Sequence, residues 1–150
     1  YLENEKSLEL NVSAKRTTKK LTLGAEVSGF YIFDYIIGKT DPDLVGMTIG
    51  ADGVRIYEAL DYATILTTNV NASYQLFPSW NLSGMMGYNL GNDHNGNNLP
   101  LISPFTYRAA LHFKKNLFDA DINLDGAGKQ TNFSSYYGEN ETESYAIINA

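Results

Sequence analysis

The chain has 150 residues, a formal charge of −6 and no cysteine. That length suits one domain or part of a larger one; the absence of thiols excludes disulfides and Cys-x-x-Cys metal or redox motifs, and the acidic balance argues against nucleic acid as a partner. Aromatics make up 13% of the sequence, mostly tyrosine, beside many Gly and Asn, a mix that favours strands and turns over helices.

Neither Tyr1 nor Ala150 resembles a natural terminus, and no signal peptide is legible, so the chain is expected to be a piece of a longer protein. Ser7 to Lys15 alternates Leu8, Leu10, Val12 and Ala14 against Glu9, Asn11 and Ser13, the period-two pattern of a strand. A polar turn follows at Arg16 to Lys20, and a long second strand runs from Leu21 to Ile37. Within it Phe30, Ile32 and Ile36 fall on the otherwise polar parity, which predicts a bulge or a plugged interior there. A Gly- and Asp-rich loop is expected over 38–53, then a third extended stretch from Val54 to Phe77. Pro78-Ser79 reads as a tight turn before a fourth strand from Trp80 to Leu90. After a second long loop over 91–104 comes the clearest hairpin in the chain. Phe105, Tyr107, Ala109, Leu111 and Phe113 share one parity and Thr106, Arg108, Ala110 and His112 the other. Past Lys114-Lys115-Asn116, the apolar Phe118, Ala120, Ile122 and Leu124 oppose Asp119, Asp121, Asn123 and Asp125. A third polar segment fills 128–141, and Glu141 to Ala150 begins a last strand.

No apolar run approaches the ~18 residues of a transmembrane helix, but strands cross membranes too. A hairpin with one apolar and one charged face suits a soluble core with water outside, or a membrane barrel with lipid outside and a wet lumen. Two further features favour the barrel. Short turns near 16–20, 78–79 and 114–116 alternate with long loops near 38–53, 91–104 and 128–141, as in outer-membrane barrels. Aromatics gather at both strand ends, Phe77, Trp80, Phe113 and Phe118 beside short turns and Tyr31, Phe33, Tyr35, Tyr88, Phe105 and Tyr107 near long loops. These look like two interfacial girdles. A porin- or adhesin-like smaller barrel, or a soluble β-sandwich or lipocalin-like binding module, stands as the alternative. Six of the eleven basic residues, Lys15, Arg16, Lys19, Lys20, Lys114 and Lys115, lie at or beside short turns and read as solvated turn residues.

Three segments carry a resemblance to a known family. Leu2-Glu-Asn-Glu-Lys-Ser-Leu-Glu-Leu10 resembles the "Leu-x-Pro-Glu-x-Ser…Glu" start of a barrel strand in TonB-dependent outer-membrane receptors, with Asn4 where proline is usual. Phe30 to Ile37 is similar to that family's aromatic strand ending in "Asp-x-Ile". Leu99 to Arg108 resembles its "Pro-Leu-x-x-Ile-Pro-Pro-x-Arg" return from an extracellular loop, with Ser103 in place of the first paired proline. Gln130 and the stretch Glu141 to Asn149 also look like the matching region. The resemblance implies an all-β fold, an antiparallel transmembrane β-barrel of about 22 strands around a plug. The chain would supply seven of those strands, residues 1–150 being one part of the barrel domain. The implied function is uptake of a scarce nutrient, such as a siderophore or other metal chelate, across the bacterial outer membrane. The implied partners are the TonB complex, reached through the plug, the small-molecule ligand, and outer-membrane lipid.

The residues add the following expectations. Glu9, Glu26, Arg108, His112, Asp119, Asp121 and Asp125 should face the lumen as a polar network. His112 with Asp119 or Asp121 lacks a serine nucleophile or oxyanion arrangement at a recognisable spacing, so no enzyme activity and no catalytic residue is expected. His94, Tyr136 and Tyr137 lie on long loops and are the candidate ligand contacts, the tyrosines as stacking surfaces. Asp41 and Asp43 lack the remainder of a calcium loop. Met85 and Met86 must point opposite ways along a strand and cannot clamp one copper ion together. No metal site and no cofactor are expected.

Overall fold

A computed structural model describes residues 2–41, 43–44, 54–103 and 105–150. Seven antiparallel strands lie in one sheet in sequence order, β1 (Lys6–Thr17), β2 (Leu21–Asp41), β3 (Val54–Phe77), β4 (Trp80–Asp93), β5 (Thr106–Lys115), β6 (Phe118–Ala127) and β7 (Tyr145–Asn149). The sheet is open, with β1 and β7 at its edges. Among the described residues no second sheet covers it. A single 3-10 turn, η1 (Ser135–Tyr137), interrupts the last connection. The β2–β3 connection begins later than expected, because β2 pairs as far as Asp41↔Val54; the rest of that loop, 45–53, lies outside the described residues, as does Pro42 between Asp41 and Asp43.

Every side-by-side pair in an antiparallel ladder points to the same face. The observed register therefore transmits each strand's alternation to its neighbour. One face collects Leu10, Val12, Leu23, Val27, Leu66, Val70, Leu82, Met86, Leu111, Ile122 and Leu124. It is not buried by protein: Leu8 is 68%, Leu10 70% and Val12 62% exposed. Aromatics bound this apolar face at both ends. At the short-turn end Trp80 and Phe113 are paired in register with ring centroids 4.8 Å apart. At the long-loop end Tyr31 stacks on Tyr62 at 4.9 Å and meets Phe33 edge-on at 4.7 Å.

Three local irregularities depart from simple alternation. The ladder shifts between Gln75 and Phe77, so Phe77 pairs with Trp80 and joins the apolar face, a position the sequence pattern gives to Leu76. The β5–β6 turn consists of Asn116 and Leu117 rather than 114–116, with Asn116 at φ +55° and Leu117 almost fully exposed. In β2, Asp34 takes a left-handed φ of +53°, and the ladder passes from Phe33↔Tyr62 to Tyr35↔Leu60 without pairing it. Beyond this point the Glu5 carboxylate accepts the Ile36 N–H at 2.6 Å, standing in for a strand partner.

The core lies at the long-loop end. Ile37, Leu60, Ala63, Leu99 and Tyr137 pack together, with Tyr35, Ile65 and Ile102 against them. Strands β2 and β3, of 21 and 24 residues, are long enough to build it, since β3 extends past the end of β4 and still pairs with β2 there. Leu99 and Ile102, from the β4–β5 connection, fold back onto Gly91, where a Cβ would lie 2.9 Å from Ile102 and 3.2 Å from Leu99. The chain's own loop thus fills the interior at Ile37, Leu60, Ala63 and Ile65, whereas Phe30 and Ile32, where the sequence predicts a bulge or plugged interior, are not among the residues packed there. Replacing Gly91 with valine is expected to lift that loop off the wall at a cost of about 1–3 kcal/mol. Faster limited proteolysis within 94–105, with the strand content by circular dichroism unchanged, would show it.

Candidate functional site

Two clusters of polar side chains result from this register. The first lies on the polar face towards the short-turn end. The ladder sets Arg108 opposite Asp125, His112 opposite Asp121 and Lys114 opposite Asp119. Arg108 Nε meets Asp125 Oδ1 at 3.2 Å, and Lys114 Nζ meets Asp119 Oδ2 at 3.0 Å. His112 Nδ1 lies 3.0 Å from Asp121 Oδ1 and 3.6 Å from Asp119 Oδ1. Across the sheet, Asn11 Nδ2 donates to Glu26 Oε1 and to Ser28 Oγ, both at 2.7 Å. Glu9 pairs with Phe30 on the same face. The ladder places all seven polar candidates, Glu9, Glu26, Arg108, His112, Asp119, Asp121 and Asp125, on one side. Met85 shares that side opposite Arg108, while Met86 stands on the apolar side opposite Tyr107.

The second cluster caps the long-loop end, beyond the aromatic ring at Tyr88 and Tyr107. Its centre is Asp93, a residue the sequence offers only as a neighbour of His94. Asp93 is 4% exposed and accepts four hydrogen bonds at 2.8 Å. Its Oδ1 receives the Asn95 and Asn97 backbone N–H groups; its Oδ2 receives the Asn97 amide and the Tyr137 hydroxyl. Burial alone pushes this carboxyl up, but the donors from Asn97, Tyr137 and Asn95 outweigh it and hold it below the usual carboxylate range. Burial, and then the bond to Asp93, raise the Tyr137 phenol above its ordinary value. Glu139 makes a second clasp, accepting the Leu101 N–H at 2.6 Å and the Ser134 N–H at 3.1 Å. Asn98 donates to the Phe133 carbonyl at 3.1 Å and Gln130 to the Ile102 carbonyl at 3.2 Å. Two connections far apart in sequence are thereby tied into one cap.

The cap separates the loop candidates. Tyr137 is buried, its ring in the core and its hydroxyl on Asp93. Tyr136 stands edge-on to it, is 52% exposed, and takes the Lys39 ammonium on its hydroxyl at 2.8 Å. Of the pair, Tyr136 is the exposed one, and the Lys39 ammonium also lies over its ring, 4.2 Å from the centroid. His94 joins neither; its ring meets Tyr62 edge-on at 6.1 Å and its Nε2 lies 2.9 Å from the Asn95 amide. Beside the cap, Tyr88, Asn89, Phe105, Lys129, Gln130 and Asn132 line a shallow cleft, in which Asn132 donates to the Tyr88 hydroxyl at 3.1 Å.

No protein-family model matches the chain, and no curated protein matches it. Among solved structures it is similar to one titled "Copper transporter OprC", with a TM-score of 0.82 at 19% identity, over 98% of this chain and 23% of that one. The chain thus spans about a quarter of the length of the structure it matches. At this identity the likeness speaks to the fold, and the seven strands are a segment of an antiparallel transmembrane β-barrel. The apolar side chains lie on one face of that segment and the polar row on the other.

The Asp93 clasp gives the cap a pH window. A depressed folded carboxyl contributes stability above the unfolded carboxyl value and loses it as pH falls through the folded one; a raised phenol loses its contribution as pH rises past the unfolded tyrosine value. The cap is therefore expected to hold between about pH 4 and pH 10 and to loosen at either end. Asp93→Asn should weaken it by about 1–3 kcal/mol and flatten the acid limb, read as proteolysis of the 94–105 loop against pH.

Proposed function

We propose that this chain is wall, lumen lining and outer loops of an outer-membrane transporter that imports a metal, carried as a siderophore or other chelate, with energy supplied by TonB. The observation that carries the proposal is the uncovered apolar face bounded by two aromatic rings, on strands joined alternately by short and long connections. Lipid would satisfy that face, and such a layout fits barrels whose long loops meet the outside. The likeness of the sheet to a copper transporter supports a metal as cargo, and the resemblance of three segments to TonB-dependent receptors supports energised uptake. The edges of β1 and β7 require partner strands in lipid, because an unpaired edge leaves backbone groups without hydrogen bonds. That requirement, together with the small share of the matched transporter that the chain spans, supports a large barrel over a small one.

On this proposal the chemistry is binding and release, with no covalent step. The cap made by the 94–105 and 128–144 connections, with Tyr136 and the Tyr88–Asn132 cleft, forms part of the outer surface a chelate meets first. Asp93, Glu139 and Tyr137 hold that surface in shape.

Two neighbouring alanines test the membrane assignment. Ala109 points to the lipid face and Ala110 to the lumen. Ala109→Arg is expected to cost about 2–4 kcal/mol near the bilayer midplane, while Ala110→Arg stays within about 0.5 kcal/mol; urea unfolding in lipid vesicles measures both. Equal effects would overturn the assignment of faces. For transport, cells lacking the protein are expected to accumulate less of one chelated metal during scarcity, and cells lacking TonB should show the same defect. Unchanged accumulation across a panel of ferric and cupric chelates would sink the metal-uptake proposal.

A further inference from the structure

We infer that His112, Asp121 and Asp119 form a divalent metal site on the lumen wall, near the short-turn end of the β5–β6 hairpin. The site takes a borderline ion such as Zn2+ or Cu2+ through one imidazole nitrogen and two carboxylate oxygens. The three ligand atoms lie within 4.8 Å of one another. Four ligands around a tetrahedral ion with bonds of about 2.0–2.1 Å stand about 3.4 Å apart. The distances from His112 Nδ1 to Asp121 Oδ1, 3.0 Å, and to Asp119 Oδ1, 3.6 Å, bracket that separation. An ion could therefore replace the hydrogen-bonded contact with small side-chain shifts.

Backbone register makes the arrangement rigid. His112 and Asp121 are direct cross-strand partners, and Asp119 sits one same-face position nearer the turn, opposite Lys114. A two-residue turn closes the hairpin between them. The ligands thus lie on paired strands rather than on a mobile loop, so little ordering cost accompanies binding. Charge separates this row from the carboxylate farther up. Asp125 is neutralised by Arg108 at 3.2 Å, whereas among the described residues the cationic partner of Asp121 is His112 alone. Lys114 is the built-in competitor, holding Asp119 through the other carboxylate oxygen, Oδ2. Nitrogen with mixed carboxylate ligation suits zinc and copper, and copper should bind more tightly in the general order of affinities. Fourth and further positions are left to water in the lumen.

This inference deepens the metal-uptake proposal and rests on it for a biological role: an ion or loosely chelated metal would meet the site inside the barrel, away from the outer loops. The binding itself is testable apart from transport. The probe is Zn2+ alone, titrated by calorimetry into the complete protein purified in detergent, with heat-dependent gel mobility confirming that each variant is folded. His112→Asn and Asp121→Asn are each expected to weaken one Zn2+ equivalent at least tenfold. Lys114→Gln is expected to tighten the same equivalent several-fold, because it releases Asp119; a purely structural ion-pair row predicts no such gain. Should His112→Asn fail to fold, Asp121→Asn and Lys114→Gln carry the test, since neither changes side-chain size greatly. Isotherms for the folded variants indistinguishable from wild type would overturn the site. That result would leave the uptake proposal standing, whereas loss of the site's signal with normal metal accumulation in cells would remove only its role in transport.

Discussion

The antiparallel register is the constraint on which everything else in this chain depends. Each strand alternates apolar and polar side chains, but alternation within a strand makes only a striped ribbon. It becomes a two-faced wall when Val12 meets Val27, Val70 meets Met86, and Ala109 meets both Gly84 and Leu124. A slip of one residue at any pairing would exchange the faces of all strands beyond it. In a bilayer that would move Asp119, Asp121 and Asp125 into lipid, so the register is held by far more free energy than any single contact supplies. The same condition brings His112, Arg108 and Lys114 opposite carboxylates: the polar row is a by-product of keeping charge out of lipid, and it is also where chemistry can happen.

Much of this wall is legible in the sequence, for a simple reason. Period-two alternation is a local property, and lipid on one side with water on the other demands it without exception over several residues. The second half of β3, from Asn69 onward, follows directly from it, and Pro78-Ser79 marks the turn by its residue types. Where the sequence misleads, a local change resets the parity. The ladder shift between Gln75 and Phe77 turns Phe77 to the lipid side, and nothing in Gln-Leu-Phe-Pro announces an extra residue. Leu117 looks like a strand residue because it is apolar, yet it tips the turn, exposed. The run of Phe30, Ile32 and Ile36 breaks the pattern, yet the residues of that strand that fill the interior are Tyr35 and Ile37, of the other parity.

The cap is barely legible at all. Asp93 sits in an Asn-rich run that reads as solvated loop, and its partner Tyr137 is 44 residues away. Only the fold brings them together, and no periodicity encodes a contact of that span. The same holds for Glu139, which ties Leu101 to Ser134. Conversely, loop position alone made Tyr136 and Tyr137 look alike, whereas burial assigns one to the core and leaves the other at the surface.

The core around Leu99 has a consequence for how the molecule responds to its surroundings. The wall is stabilised by lipid against its outer face, while the cap is stabilised by ordinary burial in water, with Leu99 and Ala63 wholly enclosed. These are two solvents acting on one chain, and they fail under different stresses. Acid acts on the cap through Asp93, while bilayer thickness and lipid packing act on the wall. The cap can therefore open and reclose as a local unfolding event while the strands beneath stay paired. The chain thus joins a cap held by burial in protein to a sheet whose apolar face protein leaves uncovered.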